Sequence, residues 1–251
     1  MISDGDLVYL VSPKGKRFLR VIDPDLVLHT HDGKLALRDV CEADYGYQIT
    51  THLGISYRIL KPTVYDLLKN IERRTQIIYP KDIGYILLKL GIGPGSKVIE
   101  AGSGSGSLTM ALAWFAGSKG KVFTYESREE FYNLCQKNLS RVGFGQNVVA
   151  HQRDISDGFG IKNADTCFLD VRTPWDYLTQ VRQSVQNGSP VGFLVPTVNQ
   201  VQDLLEGLEN NYFYEQEIIE ILIRKYKPVP ERLRPDDKMV AHTGYLIFAR
   251  A

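Results

Sequence analysis

The chain has 251 residues and a formal net charge of +1, and 43% of its residues are hydrophobic. The length predicts one large domain, or one domain with a small module, and the apolar content excludes a disordered chain. No apolar run approaches the roughly 20 residues that a membrane-spanning helix needs. The segment Met1 to Asp6 is acidic and lacks the apolar core of a signal peptide. We therefore expect a cytoplasmic protein with no membrane partner.

The cysteines and histidines predict neither a disulfide framework nor a metal site. Cys41, Cys135 and Cys167 are odd in number and form no CxxC pair. His29 and His31 lie on one face of a predicted strand, but no cysteine or further acid stands at ligand spacing. We expect no metal.

The first part of the chain, residues 1–62, consists of short β-prone runs separated by turn signals. Leu7 to Val11 and Arg17 to Val21 flank a Ser-Pro-Lys-Gly-Lys turn, Asp32-Gly33 marks another tight turn, and Ile49 to Ile59 adds later strands. These runs predict a small antiparallel β-module. Residues 63–79, with a helix over Val64 to Lys69, are predicted to link it to the rest.

Residues 80–251 alternate between predicted strands and predicted helices. Such alternation is typical of βαβ crossovers, which build a parallel sheet covered by helices on both faces. The end of the chain differs, because Ile218 to Ile223 and Tyr245 to Ala249 are β-prone with no helix between them. These two runs are predicted to pair antiparallel. The fold class is therefore α/β, with a Rossmann-like sheet and a small N-terminal antiparallel β-module.

A glycine-rich turn follows the first predicted strand of this domain. Glycines let the backbone approach a ligand closely, and the helix that follows offers free N–H groups at its start. Two features favour S-adenosylmethionine over a dinucleotide. Ser107 stands where the dinucleotide pattern needs Gly or Ala. Glu100 places a carboxylate just before the turn, where it would attract the cationic methionine end of S-adenosylmethionine and repel a pyrophosphate. The predicted cofactor-binding residues of this turn are Glu100, Gly102, Ser103, Gly104, Ser105, Gly106, Ser107 and Leu108.

Acidic residues follow three further strands of the predicted sheet. Glu126 ends the second strand, where an acid accepts hydrogen bonds from a ribose diol, and Asp154 after the third strand could accept from an adenine amino group. Phe131, one turn into the next helix, is predicted either to pack on the adenine or to belong to the core. Asp170 ends the fourth strand, in the crevice where the sheet places its reactive groups, and is predicted to lie beside the cofactor.

The sequence resembles the tRNA (adenine-N1)-methyltransferase family that modifies position 58. The matching segments extend over nearly the whole chain; they are RTQIIYPKD (74–82), EAGSGSGSLT (100–109), Tyr125-Glu126, Pro196-Thr197 with Gln200, PVPERLRP (228–235), MVAHTGY (239–245), and, in the N-terminal module, HTHDG (29–33) and RILKPT (58–63). The chain departs from the family after Asp170, where Val171-Arg172-Thr173 replaces an early proline.

The resemblance implies an S-adenosylmethionine-dependent enzyme that acts on tRNA as a homotetramer. Adenine N1 is unprotonated at neutral pH, so its lone pair can attack the methyl group without a base. Asp170 is the candidate that accepts from the N6 amino group and stabilises the charge that develops on the ring. Tyr79 is the candidate for contact with the cofactor or with the flipped base. Because no base is needed, His242 is predicted to position a loop or the substrate.

A basic stretch near the end of the chain could contact RNA phosphates. The segment from Leu222 to Lys238 contains six cationic and three acidic residues. A short run of charges is, however, often only a solvent-exposed surface. The predicted RNA-binding residues are Arg224, Lys225, Arg232, Arg234 and His242. Alternatives remain: a methyltransferase of another substrate on the same core, a non-catalytic tRNA-binding subunit that should have lost the cofactor glycines or Asp170, and a nicotinamide enzyme, which Ser107 disfavours.

Overall fold

The computed structural model of the protein describes residues 1–74 and 76–251. These residues form two compact units, Met1–Ile71 and Glu72–Ala251. The predicted linker, residues 63–79, is divided between the units, because its helix belongs to the first. Thr75, in the predicted motif of residues 74–82, lies outside the described residues.

The N-terminal unit is a small antiparallel β-structure, as the turn-separated β-prone runs predict. Its elements are β1 (Leu7–Val11), β2 (Arg17–Val21), β3 (Val27–Thr30), β4 (Gly33–Ala36), helix α1 (Arg38–Cys41), β5 (Gln48–Thr50), β6 (Ser56–Leu60) and helix α2 (Val64–Lys69). One sheet has the order β2-β1-β6-β5, and β3 pairs with β4 around the predicted turn. Leu10, Tyr57 and Ile59 are fully buried in its core. Helix α2 begins at a capping box in which Thr63 and Asp66 satisfy each other's backbone N–H groups.

The second unit contains the alternating elements. They are α3 (Pro80–Lys89), β7 (Lys97–Ala101), α4 (Ser107–Ala116), β8 (Lys121–Glu126), α5 (Glu129–Arg141), β9 (Val148–Gln152), β10 (Thr166–Leu169), a 3-10 turn (Pro174–Tyr177), α6 (Leu178–Ser184), β11 (Pro190–Val195), α7 (Val198–Asn210), β12 (Tyr214–Ile219), β13 (Tyr226–Lys227), a second 3-10 turn (Pro230–Arg232), β14 (Arg234–Pro235) and β15 (Tyr245–Arg250).

Seven of these strands form one sheet with the order β12-β15-β11-β10-β7-β8-β9. The strands from β11 to β9 are parallel, and β15 is antiparallel to both of its neighbours. The predicted Rossmann-like class is confirmed, including the antiparallel pair at the end of the chain. The bounds of one predicted strand, residues 218–223, were wrong. The strand covers Tyr214–Ile219, because its first half is polar and exposed, as an edge strand allows, and a search for apolar runs overlooks such a segment.

The order of the parallel strands places a crevice at one point of the sheet. The chain continues from β7 to β8 and β9 on one side, and then crosses to β10 and β11 on the other. Ligands of open α/β sheets bind at such a switch point, outside the carboxyl ends of the strands. The core beneath it contains Leu169 and Phe193, both fully buried. This topology positions the residues that follow β7, β8, β9 and β10.

Candidate active site

A cavity of about 440 Å³ opens at the switch point. The backbone N–H of Asp170 donates to the carbonyl of Ala101 at 2.9 Å, which joins the ends of β10 and β7 at its floor. The cavity is lined by Ala101, Gly102, Tyr125, Glu126, Ser127, Arg128, Arg153, Asp154, Ile155, Asp170, Val171, Arg172, Thr173 and Tyr177. The predicted acids after β8, β9 and β10 therefore surround one space.

The glycines of the β7–α4 turn serve packing as much as ligand approach. A Cβ on Gly102 would overlap the backbone carbonyl of Asp170, and one on Gly106 would come within 2.8 Å of the Cys135 sulfur. Both residues have positive φ, +87° and +82°. Gly104 differs, because a Cβ there would meet nothing closer than 3.9 Å. Two of the three predicted cofactor glycines are thus required by the protein's own packing, and only Gly104 faces open space.

The Glu126 carboxylate is buried at the end of β8, with 4% of the residue exposed. One oxygen accepts from the backbone N–H of Gly104 at 3.1 Å, and the other accepts from the backbone N–H and the Nε of Arg128, each at 3.1 Å. Glu126 therefore ties the glycine turn to the start of α5 and lines the cavity at the same time. Arg128, which sequence reasoning missed, also lines the cavity.

Asp154 follows β9 and lines the same cavity. Its carboxylate accepts from the backbone N–H of Ser156 at 2.7 Å. Hydrogen bonds from the backbone and from the side chain of Ser156 hold the pKa of Asp154 below its usual range. The carboxylate is therefore ionised at neutral pH and fixed in direction, as an acceptor for a ligand amino group must be.

A smaller cavity of about 30 Å³ adjoins the turn. It is lined by Gln76, Ile77, Ile78, Glu100, Gly102, Ser103, Gly104, Ser105, Ser107, Leu108 and Asp170. The Ser105 hydroxyl is buried and has no hydrogen-bond partner among the described residues, whereas the Ser107 hydroxyl donates to the carbonyl of Ile78 at 3.2 Å. An unpartnered buried hydroxyl costs free energy, so Ser105 is suited to a ligand that completes its hydrogen bond.

Glu100 is buried at the end of β7, with 1% of the residue exposed. The hydroxyls of Thr109 and Thr124 both donate to its Oε2 at 2.6 Å. Burial raises the pKa of Glu100 to about 7, the two threonine hydroxyls oppose this, and the charges of Asp170 and Glu126 add to it. Glu100 lines the small cavity, but its Oε2 already accepts the two threonine hydrogen bonds inside the core. Sequence spacing could not show this engagement.

Asp170 is an exposed residue that lines the pocket, and the surrounding protein atoms still desolvate its carboxylate. This desolvation raises the pKa of Asp170 to about 7; the charge of Glu126 adds to the rise and the guanidinium of Arg128 opposes it. Asp170 lines both cavities. It is therefore the acid that connects them, and a nearby cation would favour its ionised form.

Three of the predicted catalytic and cofactor-binding residues line neither cavity: Gly106, Tyr79 and Phe131. Tyr79 is half-buried and precedes the first turn of α3, while its neighbours Ile77 and Ile78 line the small cavity. Phe131 is 5% exposed, and the Arg128 guanidinium lies 4.0 Å from its ring centroid. The core alternative predicted for Phe131 therefore fits better than contact with an adenine.

The basic stretch near the end of the chain is exposed. Arg224, Lys225, Arg232 and Arg234 all have exposed side chains. Part of the local charge is compensated, because Lys227 pairs with Asp237 and Arg234 lies 4.0 Å from the same carboxylate.

The His242 ring contacts two oxygen atoms, one from Glu220 and one from Pro196, the residue after β11. Its Nδ1 lies 2.7 Å from a Glu220 carboxylate oxygen and its Nε2 lies 2.9 Å from the carbonyl of Pro196. The Pro196 carbonyl, followed by Glu220, raises the pKa of His242, because only the protonated ring donates to both oxygens. His242 thus joins the residue after β11 to the loop before β15, which suits a positioning role.

Among residues 1–74 and 76–251, no group of three or more His, Cys, Asp or Glu side chains is arranged to hold a metal ion. No helix in this part of the chain has both the length and the apolar character to cross a membrane.

Comparison with known proteins places this geometry in a family. Residues 56–234 match the family described as the tRNA methyltransferase complex GCD14 subunit. The chain is 31% identical to the tRNA (adenine(57)-N(1)/adenine(58)-N(1))-methyltransferase TrmI of Methanocaldococcus jannaschii, over 96% of this chain and 93% of that protein. It is 30% identical to the tRNA (adenine(58)-N(1))-methyltransferase TrmI of Thermus thermophilus, over 94% of this chain and 93% of that protein.

Two solved structures support the same family assignment. The tRNA (m1A58) methyltransferase TrmI of Aquifex aeolicus superposes with a TM-score of 0.84 and 42% identity, over 99% of this chain and 98% of that one. A chain from Thermotoga maritima described as a SAM-dependent O-methyltransferase gives a TM-score of 0.92 and 43% identity, over 99% and 94%. This chain belongs to the GCD14/TrmI family of S-adenosylmethionine-dependent tRNA methyltransferases.

Proposed function

We propose that this protein transfers a methyl group from S-adenosylmethionine to N1 of adenine 58 in the T-loop of tRNA. The observation that carries the proposal is Asp170, a carboxylate at the topological switch point that lines both the large cavity and the cavity at the glycine turn. Family membership supplies the reaction class, and the names of the TrmI relatives suggest the substrate.

The lining residues fit S-adenosylmethionine, which supplies an activated methyl group when bound. Glu126 and Asp154 are acceptors for the ribose hydroxyls and the adenine amino group. Glu100 and Asp170 provide negative charge for the cationic methionine end. The Ser105 hydroxyl, which has no partner in the described part of the chain, and the N-terminus of α4 provide donors for the carboxylate of S-adenosylmethionine.

Asp170 has a role in the methyl transfer itself. When bound, S-adenosylmethionine would supply its methyl group to the lone pair of adenine N1 and would be left as a neutral thioether, so that the methylated ring would carry the positive charge. A carboxylate that accepts from the N6 amino group stabilises this charge more in the transition state than in the bound substrate, which raises the rate. Because N1 carries no proton at neutral pH, none of the protein's residues needs to act as a base.

We propose that tRNA phosphates contact the exposed basic stretch through Arg224, Lys225, Arg232 and Arg234, with His242 positioning the loop beside the pocket. Tyr79, next to the lining residues Ile77 and Ile78, is our candidate for support of the flipped base. The family resemblance further leads us to propose a homotetramer that acts in the cytoplasm.

The test is to incubate the purified protein with unmodified tRNA and isotope-labelled S-adenosylmethionine, and to map the labelled nucleotide. We expect one N1-methyladenine at position 58, and no label in a transcript that carries guanine 58. Label at position 57 as well would widen the substrate to the neighbouring adenine. Label on a hydroxyl group, or none without a second protein, would replace the proposal by O-methylation or by a non-catalytic subunit.

A further inference from the structure

Four cations share one end of the N-terminal sheet. In the register of the strands, Arg17 of β2 faces Val11 of β1, and Val11 faces Arg58 of β6. Residues that face each other across a sheet project from the same side, so the two arginines lie on one face, about 10 Å apart across two strand spacings. Both side chains are exposed.

The turn between β1 and β2 brings two lysines to the same end. Its backbone is closed by hydrogen bonds between Ser12 and Lys16, and the Ser12 hydroxyl accepts from the Lys16 N–H at 3.0 Å. Lys14 and Lys16 are exposed there. We name Lys14, Lys16, Arg17 and Arg58 the basic cluster.

The charge of the basic cluster is not compensated locally. Within the described part of the chain, none of its four cations lies within 4.0 Å of a carboxylate. This differs from the C-terminal basic stretch, where Lys227 and Arg234 share Asp237. The Lys16 ammonium does lie 3.2 Å from the Nδ1 of His31, but no carboxylate pairs directly with any cation of the basic cluster in the described part of the chain.

Aromatic rings lie beside the charged groups of two of these cations, on opposite faces of the sheet. The Arg17 guanidinium lies 5.8 Å from the Tyr9 ring centroid, and the Lys16 ammonium lies 5.6 Å from that of Phe18. The strand that carries Arg17 is also an edge of its sheet, so its outer backbone N–H groups are not used in strand pairing. Ordered cations beside free backbone donors are suited to a row of phosphates.

We propose that the basic cluster binds the phosphate backbone of the tRNA substrate. This inference rests on the proposed function. A chain whose net charge is only +1 gives a polyanion little general attraction, so affinity must come from local concentrations of uncompensated charge. Because phosphate contacts carry no base information, the basic cluster contributes to affinity for tRNA without selecting its sequence.

The experiment compares two triple variants of the full chain in filter binding of tRNA across a salt series. One carries Lys16→Gln, Arg17→Gln and Arg58→Gln. The control carries Lys119→Gln, Lys121→Gln and Lys162→Gln, which remove the same charge from exposed positions near the amino ends of the strands of the catalytic sheet. We expect the first variant to bind more weakly, with a salt slope about two to three units flatter, and the control to keep the wild-type slope.

Affinity for S-adenosylmethionine should stay at the wild-type level in both variants. A variant with Arg17→Lys and Arg58→Lys keeps the charges and should keep the slope, which separates lost charge from lost folding. Equal slopes in the wild type and the first triple variant, or equal losses in both triple variants, would overturn the inference while methylation by the wild type upholds the proposed function. A wild type that methylates no tRNA would instead overturn the function itself.

Discussion

The backbone carbonyl of Asp170 lies against the α-carbon of Gly102, in the space that a side chain on residue 102 would occupy. The residue that ends β10 and the first residue of the glycine turn are therefore built against each other. A change at either residue acts on the other.

Gly102→Ala should destabilise the protein by about 3 kcal/mol or more, because it adds backbone strain at φ +87° to an overlap with backbone atoms that cannot rotate away. The matched control is Gly104→Ala, which has positive φ but open space, and should cost only about 1–2 kcal/mol. Thermal and urea unfolding of both variants measure the difference. Equal losses would show that close packing at residue 102 contributes nothing.

Asp170→Ala should reduce turnover by about 10²–10³, which is the loss typical of one electrostatic stabiliser, and should weaken S-adenosylmethionine binding by a much smaller factor, because Asp170 also provides negative charge for the cationic methionine end. Single-turnover methylation of tRNA and calorimetry with the cofactor give the two quantities. Asp170→Asn keeps the shape of the side chain without the charge, and should be similarly slow. An unchanged rate in either variant would remove Asp170 from the mechanism.

The affinity of the protein for S-adenosylmethionine should depend on pH near neutrality. Because the pKa of Asp170 is raised to about 7, the ionised fraction of this carboxylate in the free protein falls as the pH drops from 8 to 6. A cationic ligand prefers the ionised form, so affinity for S-adenosylmethionine should rise with pH over this range and binding should release a proton. Calorimetry in buffers of different ionisation enthalpy measures the proton release. A proton release that is undiminished in Asp170→Asn would assign it to another group, such as Glu100.

Helix α3 contains a buried ion pair whose two members both contact Thr243, in the loop before β15. The Lys81 ammonium lies 2.7 Å from the Asp82 carboxylate and donates to the Thr243 hydroxyl at 2.6 Å, and that hydroxyl donates to Asp82 at 3.0 Å. Lys81→Met should cost about 3–5 kcal/mol, because it leaves a buried carboxylate without its cation. Replacing both partners, with Lys81→Met and Asp82→Leu, should cost less than the single change. Denaturant unfolding compares them, and additive losses would contradict this coupling.

Arg224→Ala with Lys225→Ala should weaken tRNA binding and flatten its salt slope by about one to two units. The useful comparison is Lys227→Ala, whose charge Asp237 already compensates and whose loss should change the slope less. Filter binding across a salt series measures both. Wild-type affinity and slope in the double variant would show that Arg224 and Lys225 are only solvated charges.

The sequence predicted much of the architecture because its signals are local. Buried parallel strands such as β7 and β10 are short apolar runs between helix patterns, and the acids at their ends could be assigned to one edge of the sheet. Strand β12 was misplaced because it is partly exposed and its register with β15 contains an irregularity between Tyr214 and Glu217. Register of that kind depends on the partner strand.

The sequence by itself determined the fold class, the family and the residues at the strand ends, because hydrophobic period and motif spacing act over a few residues. Only the tertiary structure decided that Gly102 packs on Asp170, that the Ser105 hydroxyl has no hydrogen-bond partner among residues 1–74 and 76–251, and that Lys81 reaches Thr243 across 162 positions. Contacts between residues so far apart arise from the packing of whole elements. Their geometry therefore exists only once the chain has folded.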